Sequence, residues 1–211
     1  MKIVSLNIGK PEPIKVSDRI IYTGIFKKPI NEPIYLGKQD VLNDHVIDRQ
    51  HHGGFDKACY IFGYNHYPYW QNLYPQLDFD YGMFGENITL DNLDENTIQI
   101  GDVFKLGEAI IQVTEPRQPC FKLGYKFQNQ AIVKQFSQYY SSGIYVRILK
   151  EGCVNINDAM VLMETHDESI TVAKIYELLF SKTPDKIQLE MALKIPSISQ
   201  NLKANILKKL G

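Results

Sequence analysis

Cysteine is scarce in this 211-residue chain, with three in all. Cys59, Cys120 and Cys153 are odd in number and share no short spacing. That argues against a disulfide framework and a C-x-x-C zinc site, and a reducing compartment is the simpler setting. A basic excess is missing too. The 23 Lys and Arg face 24 Asp and Glu, a net charge of −1, so no nucleic-acid polymer is expected as a partner. No run approaches the roughly 18 apolar residues of a membrane span. No two histidines stand three or four apart beside a glutamate, which removes the helical zinc-hydrolase pattern. Repeats and low-complexity tracts are absent. Met1 leads straight into a strand pattern without a charged or long apolar leader, and the expected location is cytoplasmic.

What is present is enough apolar material for a core: 44% hydrophobic residues, with thirteen Tyr and ten Phe spread along the chain. Strand patterns are expected at residues 2–7, 19–26 (stopped at Pro29), 33–36, 143–149 and 158–163, and residues 81–90 carry glycines beside a strand-like end. A hairpin around Gly107 is expected between 103–106 and 108–114. Residues 57–74 read as a helix, with Ala58, Ile61, Phe62, Trp70 and Leu73 at helical offsets and Pro68 breaking it. A further short helix is expected at 130–140. After Thr165 the spacing turns helical: 169–180, capped by Ser169 or Thr171, then 187–193 and 202–210. The fold class expected is mostly β with α, a β-barrel domain over 1–165 followed by a small three-helix domain over 166–211. The tail is too short for a large core and is expected to dock on the barrel or on a partner.

The chain is organised around EPRQPCFKLGY (115–125). It follows an apolar β-branched stretch, and Pro116 ends the ladder because proline has no N–H to donate. Cys120 follows Pro119 between Arg117 and Lys122. Cations beside a cysteine favour the thiolate, which is both nucleophile and metal ligand; the plain alternative is a buried structural cysteine. The second feature is HHGG (51–54), whose glycines allow close backbone approach and anion-binding N–H groups, or simply form a tight turn. The third is GENIT (85–89), where Asn87 and Thr89 stand at a strand entrance suited to turn chemistry. Lys27, Lys28, Arg49, Lys57, Arg117 and Lys122 are singly ordinary surface charges. Gathered round one pocket they would favour an anionic ligand.

Together these stretches resemble the molybdenum cofactor sulfurase C-terminal (MOSC) domain family, in its hydroxylaminopurine-resistance, YiiM-type branch. The matching segments are TGIFKKP (23–29), HHGGFDKA (51–58), HYPYW (66–70), FGENIT (84–89), IGDVF (100–104) and QVTEPRQPCFKL (112–123), in family order. TVAKIYELL (171–179) resembles the opening of the branch's three-helix domain. The resemblance implies a β-barrel holding a molybdenum-pyranopterin cofactor, with Cys120 as metal ligand and as the catalytic position. It also implies reduction of small N-hydroxylated bases or amines, with electrons from a separate reductase. Lys27, His52, Gly53, Gly54, Asn87, Thr89 and Arg117 are the cofactor-binding candidates. A soft thiolate suits molybdenum already held by dithiolene sulfurs, and cations and backbone N–H groups suit the cofactor's phosphate. The chain departs from the family's G-D-G-Q-A-D stretch at residues 43–48: acidic residues remain, His45 stands for glycine and Val46 for glutamine. The alternative reading is a sulfur or cofactor carrier using Cys120 as persulfide or ligand. A monomer and a homodimer are both open.

Overall fold

The computed structural model of the chain describes residues 1–49, 52–165 and 169–211. Among these, eight strands form one sheet. Its order is β12 (Met160–Glu164), β8 (Val103–Leu106), β9 (Ala109–Pro116), β10 (Ile144–Lys150), β6 (Cys59–Gly63), β7 (Ile88–Leu90), β1 (Ile3–Gly9) and β4 (Lys27–Ile30). β2 (Glu12–Val16) pairs with β3 (Arg19–Thr23), and β5 (Ile34–Leu36) with β11 (Gly152–Val154). The class is α and β around one large sheet, and the barrel description fits loosely. The ladder is not closed, because its outer strands β12 and β4 do not pair. The start of β1 nevertheless touches the β12 side, where Lys2 bridges Ala159 and Ile3 N–H donates to the Asp158 carbonyl at 3.0 Å.

Two expectations are corrected. Pro29 does not stop a strand; it lies within β4, opposite Asn7. β4 is a sheet edge, where a missing N–H costs no ladder bond. The helix expected from residue 57 does not start there either: a single 3-10 turn at Phe55–Lys57 gives way to a strand. Cys59–Gly63 is a central strand, antiparallel to β10 and parallel to β7. Both faces of β6 are buried: Cys59 and Ile61 enter an aliphatic core with Ile3, Ile88, Val113 and Val146. Tyr60 and Phe62 enter an aromatic core with Tyr67, Trp70, Phe84, Phe127 and Phe136. A strand covered on both sides shows no polar alternation, and its apolar run mimics helical spacing. The helix comes later, at α1 (Tyr67–Leu73), where Pro68 sits in the first turn. Proline is tolerated there because that N–H has no intrahelical partner. α1 supplies the crossover that the parallel β6–β7 pair requires.

α2 (Phe121–Lys126), which follows Cys120 directly, carries no periodicity long enough to be read in the sequence. α3 (Ala131–Gln138) falls where a helix was expected. In the tail, α4 (Val172–Phe180) is capped by the Thr171 hydroxyl, α5 (Lys186–Ala192) by Asp185 and α6 (Gln200–Leu210) by Ser199. Val172, Ile175, Leu178, Leu189, Leu202 and Ile206 join the sheet's aliphatic core, and Tyr176 joins the aromatic one. The boundary expected at 165/166 falls beside residues 166–168, outside the described residues.

Candidate functional site: a cationic cleft around Cys120

Strand ends and loops meet at one end of the sheet around a cleft of about 660 Å³, part of it open to solvent. Cys120, Arg117, Lys122, Lys27, Lys57, His52, Gly53, Asn87, Tyr60, Tyr145 and Phe84 line it. Segments more than ninety residues apart in sequence therefore contribute to one site. Of the candidates named from sequence, the cleft gathers Cys120, Arg117, Lys27, His52, Gly53 and Asn87. Gly54 and Thr89 are not in its wall. The Gly54 N–H is taken by the Gln39 carbonyl at 3.1 Å. Thr89 is buried under the floor, accepting from Asn7 Nδ2 at 3.1 Å and donating to Glu86 Oε1 at 3.0 Å. His51 lies outside the described residues.

The other two cysteines are elsewhere. Cys59 is fully buried in β6 and burial pushes its thiol well up, while Cys153 pairs with Tyr35 on the small β5–β11 ladder. Cys120 immediately precedes α2, three residues after Arg117, which follows β9, and two before Lys122 in the helix.

The cations differ in how they are held. Lys27 pairs with Asp44, Lys57 with Glu115 at 3.1 Å and Lys122 with Asp48 at 2.8 Å. Arg117 has no carboxylate partner among the described residues. Its side chain is only 4% exposed, with the guanidinium 5.0 Å from the Phe136 ring and 5.6 Å from the Tyr60 ring. Its Nη1 is buried without a hydrogen-bond partner. An unsatisfied donor on a buried charge is costly and uncommon in folded proteins. Burial opposes the charge, but Tyr60, Cys120 and Tyr145 outweigh it and hold the Arg117 pKa above the ordinary arginine value. Burial, then Lys122, Arg117 and Lys57, lower the His52 pKa to about 3, so this ring stays neutral at ordinary pH. Burial likewise keeps the Tyr60 and Tyr145 hydroxyls protonated.

Asp44 is the residue that sequence reasoning undervalued. Its carboxylate accepts from Gly9 N at 2.8 Å and from Asn87 Nδ2 at 3.0 Å, besides holding Lys27. Asn87 returns to the sheet through Tyr60, with its N–H on the Tyr60 carbonyl at 2.8 Å and its Oδ1 accepting from Tyr60 N at 3.3 Å. This loop can lie so close because Gly24 faces it: a Cβ there would stand 1.8 Å from the His45 carbonyl oxygen. The only sequence signal was the acidic pair Asp44 and Asp48 in the stretch that departs from the family pattern. Of the aromatic residues in the matched segments, Phe84 lines the cleft and Phe121 is exposed, while Tyr67 and Trp70 are core. Tyr67 instead donates to the buried Glu86 at 2.5 Å. Glu86 also takes the Gly82 and Phe84 N–H groups at 2.9 and 3.0 Å, which fixes the loop carrying Phe84.

Fold and cleft define a sheet protein with a single cysteine set among cations in a deep pocket, and the comparisons say which kind. The MOSC domain family model matches residues 48–161, and the chain belongs to that family. It is 33% identical to Bacillus subtilis YflK over 98% of this chain and 93% of that protein. The crystal structure of YiiM from Geobacillus stearothermophilus superposes with a TM-score of 0.83 at 32% identity, covering 100% of this chain and 99% of that one. A protein of Gibberella moniliformis named "Reductase" is 33% identical over 147 residues. That match takes in 68% of this chain but 26% of the fungal protein, so the shared segment is a quarter of a much longer chain.

Proposed function

We propose that the protein is a molybdenum-cofactor-dependent reductase of small N-hydroxylated bases or amines, with Cys120 as the metal ligand and electrons delivered by a separate reductase. The observation that carries the reading is the unpartnered Nη1 of buried Arg117 in the same cleft as Cys120. The donor set supports it. Among the described residues no three His, Cys, Asp or Glu side chains stand together as a metal site, so a metal here must bring most of its ligands with it. A dithiolene-held molybdenum does so and needs one soft thiolate from the protein. Family membership and the name of the fungal relative support reductive chemistry.

When bound, the group would supply the two-electron centre for N–O cleavage, in which R–NHOH takes up two electrons and two protons to give R–NH2 and water. The chain's own residues do the rest. Arg117 would donate to an anionic oxygen of the cofactor. The Gly53 turn offers backbone there, since both Gly53 (φ 72°) and Gly54 (φ 82°) adopt the left-handed region that other residues avoid. Lys27 and Asn87 reach a ligand only by sharing with Asp44, so they shape the wall more than they supply free charge. Neutral His52 and the protonated Tyr145 can hydrogen-bond an incoming hydroxyl, and Phe84 offers a ring to a flat substrate.

The test is metal and pterin analysis of protein from cofactor-producing cells, followed by dye-driven turnover of hydroxylaminopurine beside an aromatic N-hydroxyamidine. Stoichiometric molybdenum and reduction of either compound are expected. Protein free of molybdenum but carrying cyanide-labile sulfur on Cys120 would replace this reading with a sulfur carrier.

A further inference from the structure

We propose that the outer face of α5 and α6 is the docking surface for an acidic electron-carrying protein of flavin or iron–sulfur type. That the partner carries electrons rests on the function proposed above; its charge is read from this chain. From Ser169 to Gly211 there are seven lysines against three carboxylates, a net charge of +4, so the preceding 168 residues carry −5. Such segregation in a chain of net −1 gives the tail its own field, which draws an acidic partner to one side of the molecule.

Two of the three tail carboxylates are engaged locally. Asp185 accepts from the Ile187 and Gln188 N–H groups as the cap of α5, and Glu177 pairs with Lys174. Lys182, Lys194, Lys203 and Lys208 are exposed. Among them stand large apolar side chains that the fold leaves uncovered: Ile187 at 70%, Met191 at 57% and Leu207 at 52% exposure. Ile187 and Met191 lie four apart on α5, hence on one face, opposite the buried Leu189 and Ala192. Lys186 at the start of α5 reaches the Leu210 carbonyl at 3.2 Å, which ties the start of α5 to the end of α6, the helix that carries Leu207. An apolar centre with a lysine rim is what a transient, electrostatically steered contact uses, and it needs little area.

The same helical tail also reaches the cleft wall. Asn201, in the first turn of α6, donates to Glu115 Oε2 at 2.8 Å, and Glu115 pairs with Lys57 in the cleft wall. Ser199 N–H reaches the Thr114 carbonyl at 3.4 Å, and Gln200 N–H reaches Asp56 at 3.1 Å. The first turn of α6 therefore abuts β9, whose end leads to Cys120.

The experiment titrates the full chain with a flavodoxin and with a plant-type two-iron ferredoxin, both acidic, at low salt and at about 0.3 M salt, where the Debye length falls below about 8 Å. The wild type is compared with Lys203→Glu/Lys208→Glu and with Ile187→Ser/Met191→Ser. Ovalbumin, acidic but without a redox group, and phosphatidylserine vesicles are the controls. Expected is binding of at least one carrier that weakens about tenfold in high salt and about tenfold in each double variant, with dye-driven turnover unchanged. Binding of neither carrier at low salt, binding unaffected by the charge reversals, or equal binding of ovalbumin or vesicles would overturn the proposal. Molybdenum-loaded protein that turns over with dye yet binds no carrier removes the docking surface and leaves the function. Protein that never takes up molybdenum removes the function whatever its tail binds.

Discussion

Arg117→Met separates a ligand-binding arginine from a structural one, because the two roles change stability and ligand content differently. Methionine follows the arginine side chain as far as Nε, carries no charge and fills irregular space. The substitution gives up the contacts with the Phe136 and Tyr60 rings at 5.0 and 5.6 Å. Each is worth about 0.5–2 kcal/mol. It also removes a buried Nη1 that has no partner, and such an unsatisfied group costs about 1–3 kcal/mol. The two effects nearly cancel. Urea unfolding of the cofactor-free variant should therefore show a stability within about 1 kcal/mol of wild type. A guanidinium in a satisfied buried ion pair would instead cost about 3–5 kcal/mol. Loss of one charge-assisted hydrogen bond to the ligand costs about 1.5–3 kcal/mol, or about ten- to a hundredfold in affinity. Pterin content after purification should fall accordingly. A loss of several kcal/mol of stability, or unchanged pterin content in a stable variant, would refute the assignment.

Cys120→Ser should purify without molybdenum and without dye-driven activity but with an unchanged melting curve, whereas Cys153→Ala, on the remote β5–β11 ladder, should keep both. Burial and nearby cations lower the His52 pKa from 6.5 to about 3. Between those values the unfolded chain binds the proton and the folded one does not, so stability rises with pH across that window and is lost on acidification. His52→Gln should flatten that part of the curve when urea midpoints are measured from pH 4 to pH 7, and an unchanged slope would count against a buried neutral ring. Gly24→Ala places a methyl 1.8 Å from the His45 carbonyl oxygen, so the loop carrying Asp44 must shift. A stability cost of about 1–3 kcal/mol and reduced pterin content are expected.

The sequence by itself determined what rests on local signals. The hairpin of β8 and β9 was legible because its β-branched runs flank Gly107, and the ladder runs to Pro116 as proline's missing N–H dictates. α4 was legible because Thr171 caps a strongly periodic segment. The family was legible because HHGG, FGENIT and PRQPC are short, ordered and specific. The β6 strand was not, since its helical-looking spacing has no local arbiter: only β7 and β10 on its edges and a core on each face make it a strand. β4 escaped for the complementary reason. Pro29 forbids an inner strand, and only the tertiary structure shows that this one is at an edge. The site divides in the same way. Residue type and spacing singled out Cys120 and Arg117, but convergence is a property of the closed chain. Asp44 reaches Lys27, Asn87 and Gly9 across 17, 43 and 35 residues, and Gly24 earns its place only because the His45 backbone presses on it. Which lysines are neutralised, and which cation has no carboxylate partner among the described residues, depends on carboxylate positions that no linear pattern encodes, because charge pairing is decided by distances across the fold.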